Sequence, residues 1–268
     1  MLERLPRDEL LKLTQYERIL TVLFRKLTLN HTSKSLPGEL LFDLDDLRGA
    51  MQEAFKGGLI PKAIKNVADI KYTFDARREL PIEVEQCGSM TWLQTKKGCY
   101  KLKRTKRKNI ISFDDLLEEQ TKVEHIADQT PPFIASLLGT DEQATFTRVR
   151  NAGLINSVLG FQAWPIQGHH RTTVSYGQIE IDEVQAGLDG QKGTIVPISG
   201  KGGQDKLSWS QALNLNTYGD EKAPIAGLAI RSLGLWRDDF DTVWIVEFSP
   251  DLDIDDIEIT KVRRFKFQ

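Results

Sequence analysis

Residues 177–203 read GQIEIDEVQAGLDGQKGTIVPISGKGG. Two apolar segments, QIEIDEV and GTIVPIS, flank a turn-rich connector, GLDGQKG, and that pattern predicts a β-hairpin. Glu180 and Asp182 are two residues apart, so on a strand both carboxylates point to one face, about 7 Å apart along the chain. Ile179, Ile181 and Val184 supply apolar contacts. At the far end of the second strand, Lys201 follows Pro197-Ile198-Ser199-Gly200 and precedes Gly202-Gly203. Carboxylates on one strand and a lysine at the end of the next suggest a site for a metal and a polyanion.

Working outward, the segment DEQATFTRVRNAGLINSVLG before the hairpin suits a helix with Phe146, Val149, Leu154, Ile155 and Val158 inward. Phe161–Arg171 reads as a loop and RTTVSY as a short strand. After the hairpin, QDKLSWSQALNLN predicts a helix, PIAGLAIRSL and TVWIVEF predict apolar strands, and IEITKVRRFKF forms a last segment. The expected order is α, β, β, β, α, β, β, with no internal repeat.

The first half has a different character. Residues 9–27 carry apolar side chains at helical spacing, and 28–41 reads as a loop. FDLDDLRGAMQEAF predicts a helix capped by Asp43 or Asp45 and ended by Gly57-Gly58. A further helix is expected from Pro61 to the residue before Pro81, offering Lys62, Lys65, Lys71, Arg77 and Arg78. Strands SMTWLQT and CYKLKRT follow, joined by Lys96-Lys97-Gly98. One helix, then two helices separated by a tight break, then a basic hairpin, are the parts of a winged helix-turn-helix. The hairpin's Lys96, Lys97, Lys101, Lys103 and Arg104 can then lie along a DNA backbone, with Trp92 and Tyr100 packed beneath it. A solvated basic surface on a helical domain is the plainer alternative. Ser112–Glu119 is expected to be helical, with Ser112 or Asp114 as cap, inside a linker over 105–132 that ends in Pro-Pro.

Charge supports this division. Residues 1–110 hold 22 Lys+Arg against 14 Asp+Glu, and the remainder holds 14 against 24. A basic half beside an acidic half suits a polyanion-binding module next to a metal-binding or solvated one. The two cysteines, Cys87 and Cys99, form no CxxC and have no histidine cluster near them, so a reduced pair is expected and a structural zinc site is not. MLERLPRDELLKL has no apolar core and no run of about 18 apolar residues occurs, so neither a secretory signal nor a membrane span is expected, and the setting is read as cytoplasmic.

Phosphodiester hydrolysis needs a divalent ion on oxygen ligands, an activated water and neutralisation of developing charge. Asp182 is the best ligand candidate, Glu180 its same-face neighbour, and Lys201 a cation for the water or the phosphate. Glu142, early in the preceding helix, can approach the same cleft, and Gln211 can orient a ligand or phosphate. Gly200, Gly202 and Gly203 would let a nucleic-acid backbone come close. Neighbouring strand residues face opposite sides, so one of His169-His170, with His170 the DNA-binding candidate beside Arg171, can contact DNA or the active site, and a loop histidine that does neither is the plainer alternative. Ser199-Gly200-Lys201 is no P-loop, and DLDIDDIE lacks the glycine and closing glutamate of a calcium loop.

The order αβββαβ, the acidic residue on the second strand and xxK at the end of the third resemble the PD-(D/E)XK nuclease superfamily. More narrowly, SYGQIEIDEVQAG, IVPISGKGGQDKLS and Gln211 resemble bacterial Type II restriction-endonuclease-like proteins with an N-terminal DNA-binding region, as do GHHRTTV and VADIKYTFDARRELP. The resemblance implies a restriction-endonuclease-like α+β core over 133–268, a mixed sheet flanked by helices, after a winged-helix-like domain over 1–104. It implies that Asp182 binds metal, that Lys201 is catalytic, and that Mg²⁺, or Mn²⁺, supports cleavage of double-stranded DNA. Cutting both strands implies a homodimer, and a restriction system implies a cognate methyltransferase as genetic partner. One departure stands out: the acidic position two before the lysine is Ser199. Glu180 can replace the missing ligand, Ser199 can bind through a water, or the protein binds DNA and cuts poorly as a regulator. A structure-specific repair nuclease would use the same site.

Overall fold

Thr14 starts the first long helix. Its hydroxyl accepts the Glu17 N–H, and the Glu17 carboxylate accepts the Thr14 N–H, a capping box. This box divides the helical spacing of 9–27 into α1 (Arg7–Leu10) and α2 (Gln15–Leu27). The structure is a computed structural model that describes all residues except 1, 3, 33, 34, 113–115, 117–121, 140, 203 and 204, and all described side chains except those of 76 and 224–226. It forms two compact units, Met1–Ile110 with Ser175–Gly177, and Ile111–Val174 with Gln178–Gln268.

In the first unit, β1 (Glu39–Asp43) begins within the stretch read as a loop, and its alternation buries Leu40 and Phe42. Asp43 caps α3 (Leu44–Lys56) with a second capping box, and Gly57 ends it. The helix expected from Pro61 is only α4 (Ala68–Ala76). Asn66 accepts the Ala68 N–H and donates to Asp69, a local turn that competes with helix, so Lys62 and Lys65 precede α4. Then come α5 (Ile82–Glu85), β2 (Met90–Lys96) and β3 (Cys99–Arg104). The antiparallel sheet has the order β1-β3-β2. Its core joins Leu20 and Leu23 of α2, Leu47 of α3, Phe74 of α4 and Trp92 of β2. Trp92 and Tyr100 are buried beneath the hairpin, edge-on to each other.

The second unit is α+β. It contains β4 (Val123–Ile126), α6 (Pro132–Ala135), α7 (Glu142–Asn151), α8 (Leu154–Leu159), β5 (Ala163–Val174), β6 (Gly177–Asp189), β7 (Lys192–Gly202), α9 (Trp209–Ala226), β8 (Ala229–Ile230), β9 (Ser232–Arg237), β10 (Thr242–Phe248) and β11 (Ile259–Phe267). β4 lies inside the stretch expected as a linker and pairs in parallel with β11. Most of the helix expected at 112–119, Asp114 included, lies outside the described residues. β5 takes in most of the loop expected at 161–171, and α9 runs ten residues past Asn216.

The sheet order is β4-β11-β10-β9-β7-β6-β5, with β8 also against β7. The hairpin of residues 177–203 is present: Asp189 pairs with Lys192 across a two-residue turn whose first residue, Gly190, has φ 62°. Glycine at that position gives the twist a tight hairpin needs. α9 crosses over between β7 and β9, which run in parallel. α7 and α8, separated at Gly153 (φ 65°), pack Phe146, Val149, Leu154, Ile155 and Val158 onto Val196, Ile198, Leu233 and Leu235. Among the described residues, no helix is long and apolar enough to cross a membrane.

Candidate active site

Pairing of β6 with β7 sets Glu183 opposite Ile198, so Asp182 and Ser199 come next to each other on the opposite face of the sheet. Three groups converge on Asp182 Oδ2: the Ser199 hydroxyl donates at 3.0 Å, the Gly200 N–H donates at 2.8 Å, and Lys201 Nζ lies 3.6 Å away. Lys201 is only 5% exposed. A lysine that deep needs a carboxylate partner, and Asp182 supplies it.

The second carboxylate is Glu142, at the first turn of α7. Asp141 caps that helix by accepting the Ala144 N–H. Gly200 explains how α7 comes so close: a Cβ there would stand 2.3 Å from the Phe146 ring and 3.3 Å from Glu142 Cγ. The glycine expected to admit a nucleic-acid backbone instead admits this helix. Gly202 also faces the Glu142 backbone, and Gly203 lies outside the described residues. Burial, then the negative charge of Asp182, push the Glu142 carboxyl up to about 7, while Lys201 pulls it down. Asp205, which the sequence reading passed over, adds to the push. Its only signal in sequence is an acid four residues after the lysine.

Glu180, the same-face neighbour of Asp182, has basic partners on β5. It accepts from Arg171 Nε at 3.2 Å and lies 3.9 Å from His169 Nδ1. Glu142, from another element, also lies in the electrostatic neighbourhood of Asp182 and Lys201. Gln211 is tied into the start of α9, where Ser208 Oγ accepts its N–H and donates to its side-chain oxygen. His170 packs edge-on against Tyr218 at 5.4 Å.

The basic residues of the first unit vary in availability. Lys62, Lys65, Arg78, Lys96, Lys97 and Arg104 are exposed. Arg77 is exposed and lies over the Tyr72 ring at 4.9 Å. Lys71 is paired with Asp75, Lys101 with Glu39 at 2.6 Å, and Lys103 is half-buried.

Among the described residues, no three His, Cys, Asp or Glu side chains form a metal cluster. Two carboxylates are nevertheless an adequate protein share for Mg²⁺, which keeps waters and takes phosphate oxygens for the rest. Burial and the charge of Asp182 disfavour ionisation of Glu142, and a hard cation would relieve that repulsion. The donor set of Asp182 and Glu142 thus fits a divalent ion. No family model, no curated protein and no solved structure matches this chain.

Proposed function

We propose that the chain is a Mg²⁺-dependent endodeoxyribonuclease of the restriction type, acting on double-stranded DNA in the cytoplasm. The observation that carries the reading is the grouping of Asp182, Lys201 and Glu142 at the meeting of β6, β7 and α7. The helix–three strands–helix–strand order around it is that of the PD-(D/E)XK core, which supports the resemblance. In the first unit, α2, β1, α3, α4 and the β2–β3 hairpin, with β1 joined to β3, follow the order of parts in a winged helix-turn-helix, with the short α1 and α5 in addition. Exposed Lys62, Lys65, Lys96 and Lys97 there suit phosphate neutralisation.

In this reading Asp182 and Glu142 hold the ion. When bound, it polarises the phosphate and lowers the pKa of a water. Ser199 and the Gly200 N–H fix the orientation of Asp182 through hydrogen bonds to one oxygen. Lys201 brings a positive charge to the reacting phosphate, at a depth where that charge is weakly screened. Glu142, poised near neutral pH, would have to be deprotonated to hold the cation, so metal binding is expected to strengthen as pH rises through about 7.

A second reading, a DNA-binding protein with weakened catalysis, is favoured by one contact. Ser199 stands as a neutral donor on Asp182, where the superfamily carries another acid. The test is incubation with phage and plasmid DNA in Mg²⁺, Mn²⁺ or EDTA, beside Asp182→Asn and Ser199→Asp. Discrete metal-dependent fragments, lost in Asp182→Asn, are expected. Binding without cutting, with cutting gained in Ser199→Asp, selects the weakened reading. Smeared products select a structure-specific or non-specific nuclease. A homodimer and a methyltransferase partner belong to the restriction reading and stand or fall with discrete fragments.

A further inference from the structure

Glu183 is a carboxylate inside the apolar core, on the face of β6 turned away from Asp182. It is 4% exposed, beside Ile181 and opposite Ile198. Burying a charge there is costly unless it is paired and hydrogen-bonded. Glu183 is both: Arg150 Nη1 lies 3.3 Å from one oxygen, and Gln185 donates its amide to the other. Arg150 is held further by the Phe146 carbonyl at 3.2 Å and the Thr147 hydroxyl at 3.4 Å. One buried carboxylate thus orients two side chains that line a single cavity.

That cavity measures about 130 Å³ and lies where α7 and α8 meet β5 and β6. Arg150, Asn156, Gln162 and Gln185 supply its polar groups, and Trp164 and Pro165 form flat apolar wall. Trp164 is 56% exposed, an accessible ring beside an interior space. The volume exceeds the ~30 Å³ share of one water several-fold, yet falls short of the ~300 Å³ of drug-sized sites. It holds one small ring system. Arg150 is neutralised by Glu183, so the cavity is not built for a free anion. Donation from Gln185 to Glu183 fixes that amide and leaves its carbonyl to accept. A flat aromatic wall with fixed amide donors and acceptors is the chemistry that recognises a base by its edge and its face.

We infer that this cavity is a binding pocket for a single nucleobase, with Trp164 as the stacking surface and Gln185, set by Glu183, reading the base edge. The base comes either from a free nucleoside or from a nucleotide turned out of DNA. The DNA source rests on the proposed nuclease reading, and the nucleoside source does not.

The test is fluorescence titration in EDTA, so that cleavage plays no part. The probes are 2-aminopurine riboside and a duplex carrying 2-aminopurine opposite a mismatch. Trp164→Ala, at an exposed position, is compared with the native chain and checked for an unchanged melting profile. Saturable quenching of the riboside, weakened at least tenfold in Trp164→Ala, assigns the pocket to nucleosides. A change confined to the duplex, and lost in Trp164→Ala while overall DNA affinity persists, assigns it to an extruded base. Should neither probe respond, or should both respond equally in Trp164→Ala, the pocket inference is overturned. DNA binding or cutting that persists in that case leaves the nuclease reading untouched.

Discussion

Replacing Glu142 by glutamine removes one negative charge from the carboxylate pair and keeps the side chain's shape against Gly200. The Glu142 carboxyl is pushed from its ordinary 4.5 to about 7, first by burial and then by Asp182. A carboxyl whose pKa is higher folded than unfolded holds its proton more tightly in the native state. Its cost is therefore absent below about pH 4.5, grows as pH rises, and is complete above about 7. At 1.36 kcal/mol per pKa unit the ceiling is about 3 kcal/mol, and partial solvent access brings this to about 1–2 kcal/mol. For a unit of this size each kcal/mol moves Tm by about 2–4 °C. Calorimetry at pH 5 and pH 8, in EDTA and in Mg²⁺, gives the readout. In EDTA at pH 8, Glu142→Gln melts several degrees above the native chain, and at pH 5 the gap closes. Mg²⁺ at a hundred times its Kd stabilises the native chain by about 2.7 kcal/mol and the variant far less. A pH-independent gap, or equal stabilisation of both proteins by Mg²⁺, would refute the carboxylate pair as a cation site.

Two further outcomes follow from the packing and the surface. Gly200→Ala drives a methyl group into the Phe146 ring at 2.3 Å, and overpacking of this kind costs about 1–3 kcal/mol; a denaturant midpoint equal to the native one would contradict the close approach. In the full chain, Lys62→Ala with Lys65→Ala lowers the slope of log affinity for duplex DNA against log salt by about 1 for each phosphate no longer neutralised, as read by fluorescence anisotropy; an unchanged slope removes these lysines from the DNA interface.

Elements whose signals are local were legible in the sequence. The Gly190 turn, the Asp43 cap and the Gly57 stop are each set by residues within a few positions of one another. β1 escaped because five residues gain strand structure only by pairing with β3, from Glu39 opposite Lys103 to Asp43 opposite Cys99. β4 escaped for a similar reason: its parallel partner β11 lies more than a hundred residues away. Pro61 favours a helix start, but the Asn66 turn, closed by hydrogen bonds to Ala68 and Asp69, delays the helix to Ala68.

For the site, the sequence by itself determined which side chains share a face. A period of two puts Ser199 with Lys201, and hairpin pairing sets Asp182 beside them. Only the tertiary structure brings a carboxylate from another element near them. Glu180 and Asp182 are close in sequence, and Glu180 pairs with Arg171. Glu142 arrives from forty residues upstream because Gly200 has no side chain to hold α7 off the sheet. Alternation along a strand is a property of covalent geometry and can be read directly. The approach of a helix to a sheet depends on volumes contributed by both, and no single stretch of the chain records them.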